Sequence, residues 1–378
     1  MIFLSYASQD KERVLPFYDL LDTHGLDPWM DCKKILGGQN WDYEIKTALD
    51  RSEIVVVFVS DNSVDKRGYV QREVKLALDK FEEKVVGDIY IIPVQLDSGE
   101  YPHLLKGIQF LRVADGGVNE KLLASIESAN HTAKEKAEAV QVESEVRWSL
   151  AEAKSSYNGI PGYSTSINRI TVSSAKYPNI SEISDHINGA LAEYSMDARS
   201  SSLTPNPEHF NLMQSEWQRT DTFDAIFSSA QVVGRVLAVT YSLHWYRAGA
   251  AHPVHSPRTF NYLLEPVHYL GKISDLFSSD ETLKVLQGLT EVRLVEALYK
   301  EGADYESLDW IRSGTKDWDC FSNFALGEDG LNIQFSSYQV ACYAAGMPSV
   351  QIPYSDLTPY FTDTVLYALN LYRRQALS

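Results

Sequence analysis

Cysteine is scarce in this sequence, with three in 378 residues: Cys32, Cys320 and Cys342. So few exclude a disulfide framework, and without a CxxC pair they offer no zinc site of standard spacing; they read as reduced thiols. Long hydrophobic runs are missing as well. The longest, Ile54 to Val59 and Ile89 to Val94, have strand length, far short of the roughly 18–20 residues that span a membrane. The opening run Met1–Leu4 turns polar at once, with no basic leader and no long apolar stretch, so no signal peptide is expected and the protein is expected in the cytoplasm. Basic charge is the third deficit. Lys and Arg number 34 against 51 Asp and Glu, a formal charge of −17 spread along the whole chain, which argues against a nucleic-acid backbone as partner and leaves room only for a local anion pocket. What remains is a globular composition, 44% hydrophobic and 22% charged, long enough for two or three domains, each with its own core.

The first third alternates short apolar runs with amphipathic ones. Ile2–Tyr6 predicts a strand, and Asp10–Thr23 a helix carrying Val14, Phe17 and Leu21 on one face. Leu26–Asp31 is the next strand candidate, followed by a loop, Cys32–Asn40, and a helix with Trp41, Ile45 and Leu49 at spacing four. EIVVVFVS (Glu53–Ser60) suits a central parallel strand covered on both faces. Gly68–Glu82 predicts another helix, with Val70, Val74, Ala77 and Leu78 in its stripe. Asp88–Gln95 predicts a strand that ends at Pro93. The alternation predicts a doubly wound parallel sheet of the α/β class, whose ligands sit outside the carboxyl ends of the strands. Those ends are Tyr6–Ser8, Asp31 and Ser60.

Four blocks now carry a resemblance: FLSYASQD (Phe3–Asp10), PWMDCKKILGGQNW (Pro28–Trp41), SEIVVVFVSDNS (Ser52–Ser63) and YVQREVKLAL (Tyr69–Leu78). In this order over about 115 residues they resemble a bacterial Toll/interleukin-1 receptor (TIR) domain, of flavodoxin-like fold. The resemblance implies one of two activities: assembly with other TIR domains, or cleavage of the nicotinamide–ribose bond of NAD+ to ADP-ribose or a cyclic isomer. NAD+ is then a substrate, and no cofactor or metal is implied. By the resemblance Glu73 is the catalytic carboxylate, with Tyr69 four residues before it where the family usually has tryptophan. Ala7, Ser8, Trp41, Ser60 and Tyr69 would line the nucleotide pocket.

The chemistry explains the carboxylate. Departing nicotinamide leaves positive charge on the ribose, which a fixed negative group stabilises more in the transition state than in the ground state. Nicotinamide in NAD+ is already cationic, so it leaves without a general acid, unlike the two-carboxylate arrangement of most glycosidases. The competing reading of Glu73 is an exposed helix carboxylate. Against it, residues 69, 70, 76 and 77 are Tyr, Val, Leu and Ala, so no basic side chain stands one turn away to pair with it. In the loop before Trp41, Gly37 and Gly38 allow close approach to a ligand. Lys33 and Lys34 are candidates for its diphosphate, with solvated lysines as the plainer reading. The resemblance also implies TIR–TIR self-association through this loop.

Gly116 and Gly117 close a first domain, 1–117. Residues 118–138, rich in Ala, Glu and Lys, predict a solvated helical linker. A second domain, 139–378, begins where Val140, Val142, Val146, Trp148 and Leu150 fall on even positions, the period of a half-buried strand. Within it Ser155–Tyr163 is a turn cluster, Ile167–Val172 a strand, and Ser181 a helix cap before Ile183, Ile187, Leu191 and Tyr194. Ser201–Pro207 is a polar break. Gln231–Trp245 is a long strand or a bent pair. A helix begins at Ser279 and runs with an interruption towards Gly302. Phe324–Phe335 is a hairpin about Glu328-Asp329-Gly330, Tyr338–Tyr343 a strand, and Thr362–Gln375 a helix with Arg373 and Arg374 at its end. This is an α+β, mostly antiparallel class.

WYRAGAAHPVHSPRTFNY (Trp245–Tyr262), GKISDLF (Gly271–Phe277) and GLNIQFSSYQVACYAAGMPSVQIPYSDL (Gly330–Leu357) are similar to the extracytoplasmic domain of RsiV-type anti-sigma factors and PdaC-type polysaccharide deacetylases, over about residues 138–360. The resemblance implies recognition of a ligand. His244, His252 and His255, with Asp275, raise a metal site, but their spacing fits no zinc pattern. Neither GxSxG, a Walker loop nor GxGxxG is present. The reading reached is a cytoplasmic, oligomeric NAD+ hydrolase of antiphage defence, whose C-terminal domain senses an unknown ligand or protein or controls assembly. Membranes and nucleic acid are not expected partners. The alternatives are a non-enzymatic TIR–TIR scaffold and a recognition module for a secreted or cell-wall ligand.

Overall fold

The computed structural model describes residues 1–35, 41–64, 91–97, 105, 107–143, 145–199, 219–250, 252–299 and 303–372. They divide into two compact units, Met1–Ala139 and Val140–Ser378.

The first unit is built on five parallel strands: β1 (Ile2–Ser5), β2 (Pro28–Trp29), β3 (Ile54–Val59), β4 (Ile91–Gln95) and β5 (Leu111–Arg112), in the order β2-β1-β3-β4-β5. That is the flavodoxin-like doubly wound order. Every residue of β3 is buried, as a continuous apolar run requires when both faces are covered. Alternation divides its side chains. Ile54, Val56 and Phe58 pack with Ile2, Leu4 and Val94 against Val14, Phe17 and Leu21 of helix α1 (Lys11–Thr23). Val55, Val57 and Val59 pack on the other face with Phe3 and Trp29 against Ile45, Ala48 and Leu49 of helix α2 (Trp41–Arg51). Strand β4 runs past Pro93, which pairs with Val57, to Gln95; the expected stop at the proline is not observed.

Helix α3 (Val118–Glu143) corrects two expectations. Its first half is no solvated spacer, because Leu122, Ile126 and Ala129 lie in the core of the first unit, on the α1 face. Nor does a strand start at Val140. Val140 and Val142 continue the helix, and the two-residue period holds only from Val146, where β6 (Val146–Tyr157) begins.

The second unit pairs six strands in the order β11-β10-β9-β8-β7-β6, with β7 (Gly162–Ser174), β8 (Thr220–Val233), β9 (Val236–Tyr246), β10 (Val254–Leu264) and β11 (Val267–Tyr269). All neighbours are antiparallel except β7 and β8, where Gly162 to Ile167 run parallel to Thr220 to Ala225. Of the two readings of Gln231–Trp245, a long strand or a bent pair, the second holds: the chain forms a hairpin, turning at Gly234 with φ of 59°. Helix α4 (Ser181–Asp197) covers one face with Ile183, Ile187 and Leu191, against Phe223, Leu237, Tyr241 and Phe260. Ser181 is its first residue and caps nothing through its side chain.

A second, three-stranded antiparallel sheet follows: β12 (Phe324–Leu326), β13 (Gly330–Gln334) and β14 (Ser349–Pro353). The expected hairpin is β12–β13. Helix α5 (Thr282–Leu298) is uninterrupted and buries Leu286 and Leu294 in the same core as Leu331, Ile333 and Ile352. Helix α6 (Tyr305–Ser313) is capped by Asp304, which accepts from the Ser307 amide at 2.8 Å. Helix α7 (Asp363–Ala368) starts after Thr362; Arg373 and Arg374 lie outside the described residues. The buried side chain of Asn261 joins the two sheets: its amide donates to the Phe324 carbonyl at 2.8 Å, and its oxygen accepts from the Leu326 amide at 3.0 Å. Tyr338–Tyr343 is not a strand, since Tyr338 adopts φ of 69°. Gln339 fixes that turn, accepting from the Ser336 amide at 3.1 Å and donating to the carbonyls of Gly314 and Cys320 at 3.1 and 2.7 Å.

Candidate functional site at the carboxyl edge of the parallel sheet

Strands β1 and β3 are neighbours that leave the sheet in opposite winding directions, and the chain emerging from their carboxyl ends defines the candidate site. Asp10, fully buried just after β1, is its centre. Three donors meet its carboxylate: Arg13 Nη1 at 3.0 Å, Asn62 Nδ2 at 3.0 Å, and the Ser60 hydroxyl. A buried carboxylate needs such satisfaction to remain buried. Arg13 extends the network to the end of β4. It forks onto Asp97, with Nη1 to Oδ2 at 3.1 Å and Nη2 to Oδ1 at 2.6 Å, and Nη2 also donates to the Leu96 carbonyl at 2.9 Å. The Arg13 hydrogen bonds hold the Asp97 carboxyl below the usual carboxylate range. Asp97 in turn accepts from the Asp61 amide at 3.1 Å. One arginine thus ties together the segments after β1, β3 and β4.

On the β2 side, the Tyr6 hydroxyl donates to Asp31, whose Oδ1 also accepts from the Cys32 amide at 2.6 Å. Burial first, then the Asp31 carboxylate, push the Tyr6 phenol well above its ordinary value, so it stays protonated. Ser60 turns the chain after β3: its amide donates to the Ser63 hydroxyl at 2.9 Å, and that hydroxyl donates to the Ser60 carbonyl at 2.7 Å.

Of the expected pocket residues, Ala7 and Ser60 are buried, Ser8 is exposed, and Trp41 is 43% exposed at the start of α2. The only proton of the Ser60 hydroxyl goes to Asp10, so that side chain braces the edge. Tyr69 and Glu73 lie outside the described residues, as does the helix expected at Gly68–Glu82. Lys34 forms an ion pair with Asp27 at 3.8 Å, and the Lys33 ammonium stands 5.3 Å from the centre of the Tyr18 ring. Both lysines thus have partners within the unit. Sequence reasoning missed Asp10, Arg13, Asn62 and Asp97. The i,i+3 spacing of Asp10 and Arg13 directly after a strand was a usable signal; nothing local marked Asp97.

The histidines of the second unit come together only in part. His244 and His255 face each other across β9 and β10, Nδ1 to Nδ1 at 2.9 Å, so one ring donates and the other accepts. His252 instead lies by Tyr343, ring centres 4.7 Å apart. Among the described residues no three His, Cys, Asp or Glu side chains are placed to hold a metal ion. The three cysteines are free thiols. No described helix is long and apolar enough to cross a membrane.

Comparison with known proteins agrees with this division. Residues 2–126 match the family described as TIR domain, and residues 274–355 match a protein family of unknown function, DUF3298. The TIR match extends into α3, whose core residues Leu122 and Ile126 it includes. No curated protein matches the chain. Among solved structures, a DUF3298-family protein from Bacteroides fragilis is similar at 15% identity and TM-score 0.43, covering 60% of this chain and 98% of its own. Another from Pseudomonas aeruginosa, also 15% identical with TM-score 0.43, covers 58% and 96%. The TIR domain of a Toll-related receptor from Hydra magnipapillata is 18% identical with TM-score 0.29, covering 34% and 94%. The similarity of the second unit to RsiV- and PdaC-type domains is compatible with the DUF3298 match. The chain thus joins a TIR domain at residues 2–126 to a DUF3298 domain at residues 274–355.

Proposed function

We propose that the first unit cleaves NAD+ between nicotinamide and ribose. The observation that carries the reading is the edge braced around Asp10. It fixes the segments after β1, β3 and β4 while leaving Ser8 and Trp41 open to solvent, a preorganised rim of the kind a nucleotide site needs. In the reaction the C1′–N bond breaks and its electron pair returns to nicotinamide, which leaves neutral. Water then bonds to C1′ and loses a proton, giving ADP-ribose; an adenine nitrogen in its place gives the cyclic isomer. Glu73 supplies the negative charge that faces the cationic ribose, and Tyr69, four residues before it in the sequence, supplies an aromatic face. Self-association of TIR domains completes the active state. The second unit serves as the sensor, and the whole acts as a cytoplasmic defence effector that depletes NAD+ or makes a cyclic nucleotide signal.

The test is nicotinamide release from NAD+ by the full chain and by Glu73→Gln. A loss on the order of a hundredfold or more in the variant is expected for removal of a transition-state charge. Activity retained in Glu73→Gln would assign the chemistry to another residue. Silence of the wild-type chain at high concentration would favour the scaffold, in which TIR–TIR contact alone carries the signal.

A further inference from the structure

Arg258 lies on β10 of the second unit, across from Tyr241 of β9. Its guanidinium stands 5.0 Å from the centre of the Phe260 ring. The Nε–H is buried and meets no acceptor, and none of the described side chains forms an ion pair with the group. In a chain of charge −17, an arginine that meets no carboxylate among the described residues is conspicuous. A half-wet cation–π contact gains less than an unmade buried N–H costs, so stacking on Phe260 alone does not account for the placement.

Its neighbours among the described residues are aromatic rings: Phe260 beneath the guanidinium, with Tyr262, Tyr269 and His186 around it. Buried Phe260 and Tyr262 form a floor. Tyr269 stands against both, ring centres 6.4 and 5.3 Å away, and its ring meets His186 edge-on at 4.5 Å. The exposed His186, on α4, shares a hydrogen bond between Nδ1 and the Tyr262 hydroxyl at 2.8 Å. Burial and then Arg258 push the His186 imidazole down, while burial raises the phenols of Tyr262 and Tyr269. At neutral pH the groups around the guanidinium are therefore a neutral imidazole and two neutral phenols.

We propose that Arg258, with Tyr269 and His186, binds a small ligand that presents a carboxylate or phosphate on a flat ring. The fork takes the oxyanion in two parallel hydrogen bonds, and the ring of the ligand rests on Tyr269. The site is independent of NAD+ cleavage, because it uses only residues of the second unit.

Calorimetric titration of the full chain with phenyl phosphate, benzoate and inorganic phosphate tests this. Saturable binding of phenyl phosphate or benzoate, tighter than that of inorganic phosphate, is expected, and the better of the two identifies the anion. Arg258→Met should weaken it at least tenfold while melting at or above the wild-type temperature. Tyr269→Leu should abolish the preference for a ring. Arg258→Lys keeps the charge without the fork and serves if the Met variant does not fold; a several-fold loss is expected of it. Equal affinity in wild type and Arg258 variants, or no saturable binding of any of the three probes, would overturn the proposal. So would a lower melting temperature for Arg258→Met with binding unchanged, which would make the guanidinium a packing element.

Discussion

Asp10 and Arg258 are opposite solutions to the placing of a charge away from water. Asp10, with no exposed surface, is met by an arginine from the segment after β1 and by an amide and a hydroxyl from the segment after β3. Arg258, half-buried in the second, rests on an aromatic ring with an N–H left over. The first arrangement consumes its hydrogen-bonding capacity in holding the fold. The second holds capacity in reserve. A fully satisfied buried charge marks a part of the structure that must not move, whereas an unsatisfied one marks a place where something from outside can gain free energy by arriving.

The contrast can be broken most forcefully at Asp10. Asp10→Ala leaves Arg13 beside the site with one carboxylate fewer and strands the amide of Asn62 and the hydroxyl of Ser60. A loss of about 2–4 kcal/mol is expected for stranding these donors, measured by urea unfolding of the full chain. A loss under about 1 kcal/mol would show that the network is dispensable and that Asp10 and Arg258 do not differ as described. Next comes Ile126→Ala. If α3 belongs to the first core, the buried methyls of Ile126 should be worth about 2–5 kcal/mol, and a solvated spacer would show almost none.

The smallest effect is a difference in acid response. Asp97 is held low by Arg13, so its contribution is complete above the unfolded value near pH 4 and fades as pH falls through its lower folded value. Asp221 in the second unit is the reverse. It is buried, accepting from the Ala248 amide at 2.6 Å, and burial raises its carboxyl above the usual value. Protonating it favours the fold as pH falls through that raised value. The deficit of Asp97→Asn relative to wild type should therefore vanish in strong acid. Any gain in Asp221→Asn should be largest near neutrality and shrink on acidification. Unfolding midpoints at a series of pH values would check both signs, and parallel profiles for the two variants would remove the distinction.

Much of the architecture was readable because its period was local. EIVVVFVS declared a strand covered on both faces, and Val14, Phe17 and Leu21 declared one helix face. Errors arose where a local pattern had two readings. Val140 and Val142 fall on even positions by coincidence with the strand that follows, and the helical backbone simply continues through them. Tyr338–Tyr343 has strand composition, but the Gln339 side chain, accepting one hydrogen bond and donating two, holds it as an irregular turn. The site was legible in outline, since the carboxyl ends of buried strands can be counted off. Its bracing was not, because Arg13 finds Asp97 across more than eighty residues of chain. Arg258 was invisible for a related reason: nothing in a sequence says that a charge will rest on a ring and meet no carboxylate among the described residues.

The single parallel seam between β7 and β8 bears on how the second unit is made. The four other neighbouring pairs in its six-stranded sheet are antiparallel and join strands close in the chain, but Gly162 must find Thr220 across a long intervening segment that includes α4. Closing such a loop costs entropy before any contact repays it. During synthesis the β6–β7 hairpin is complete well before β8 leaves the ribosome, and until then one edge of β7 stands unpaired, open to any strand that reaches it. Chaperone demand should therefore concentrate on the interval between β7 and β8, with the seam the last part of the sheet to close.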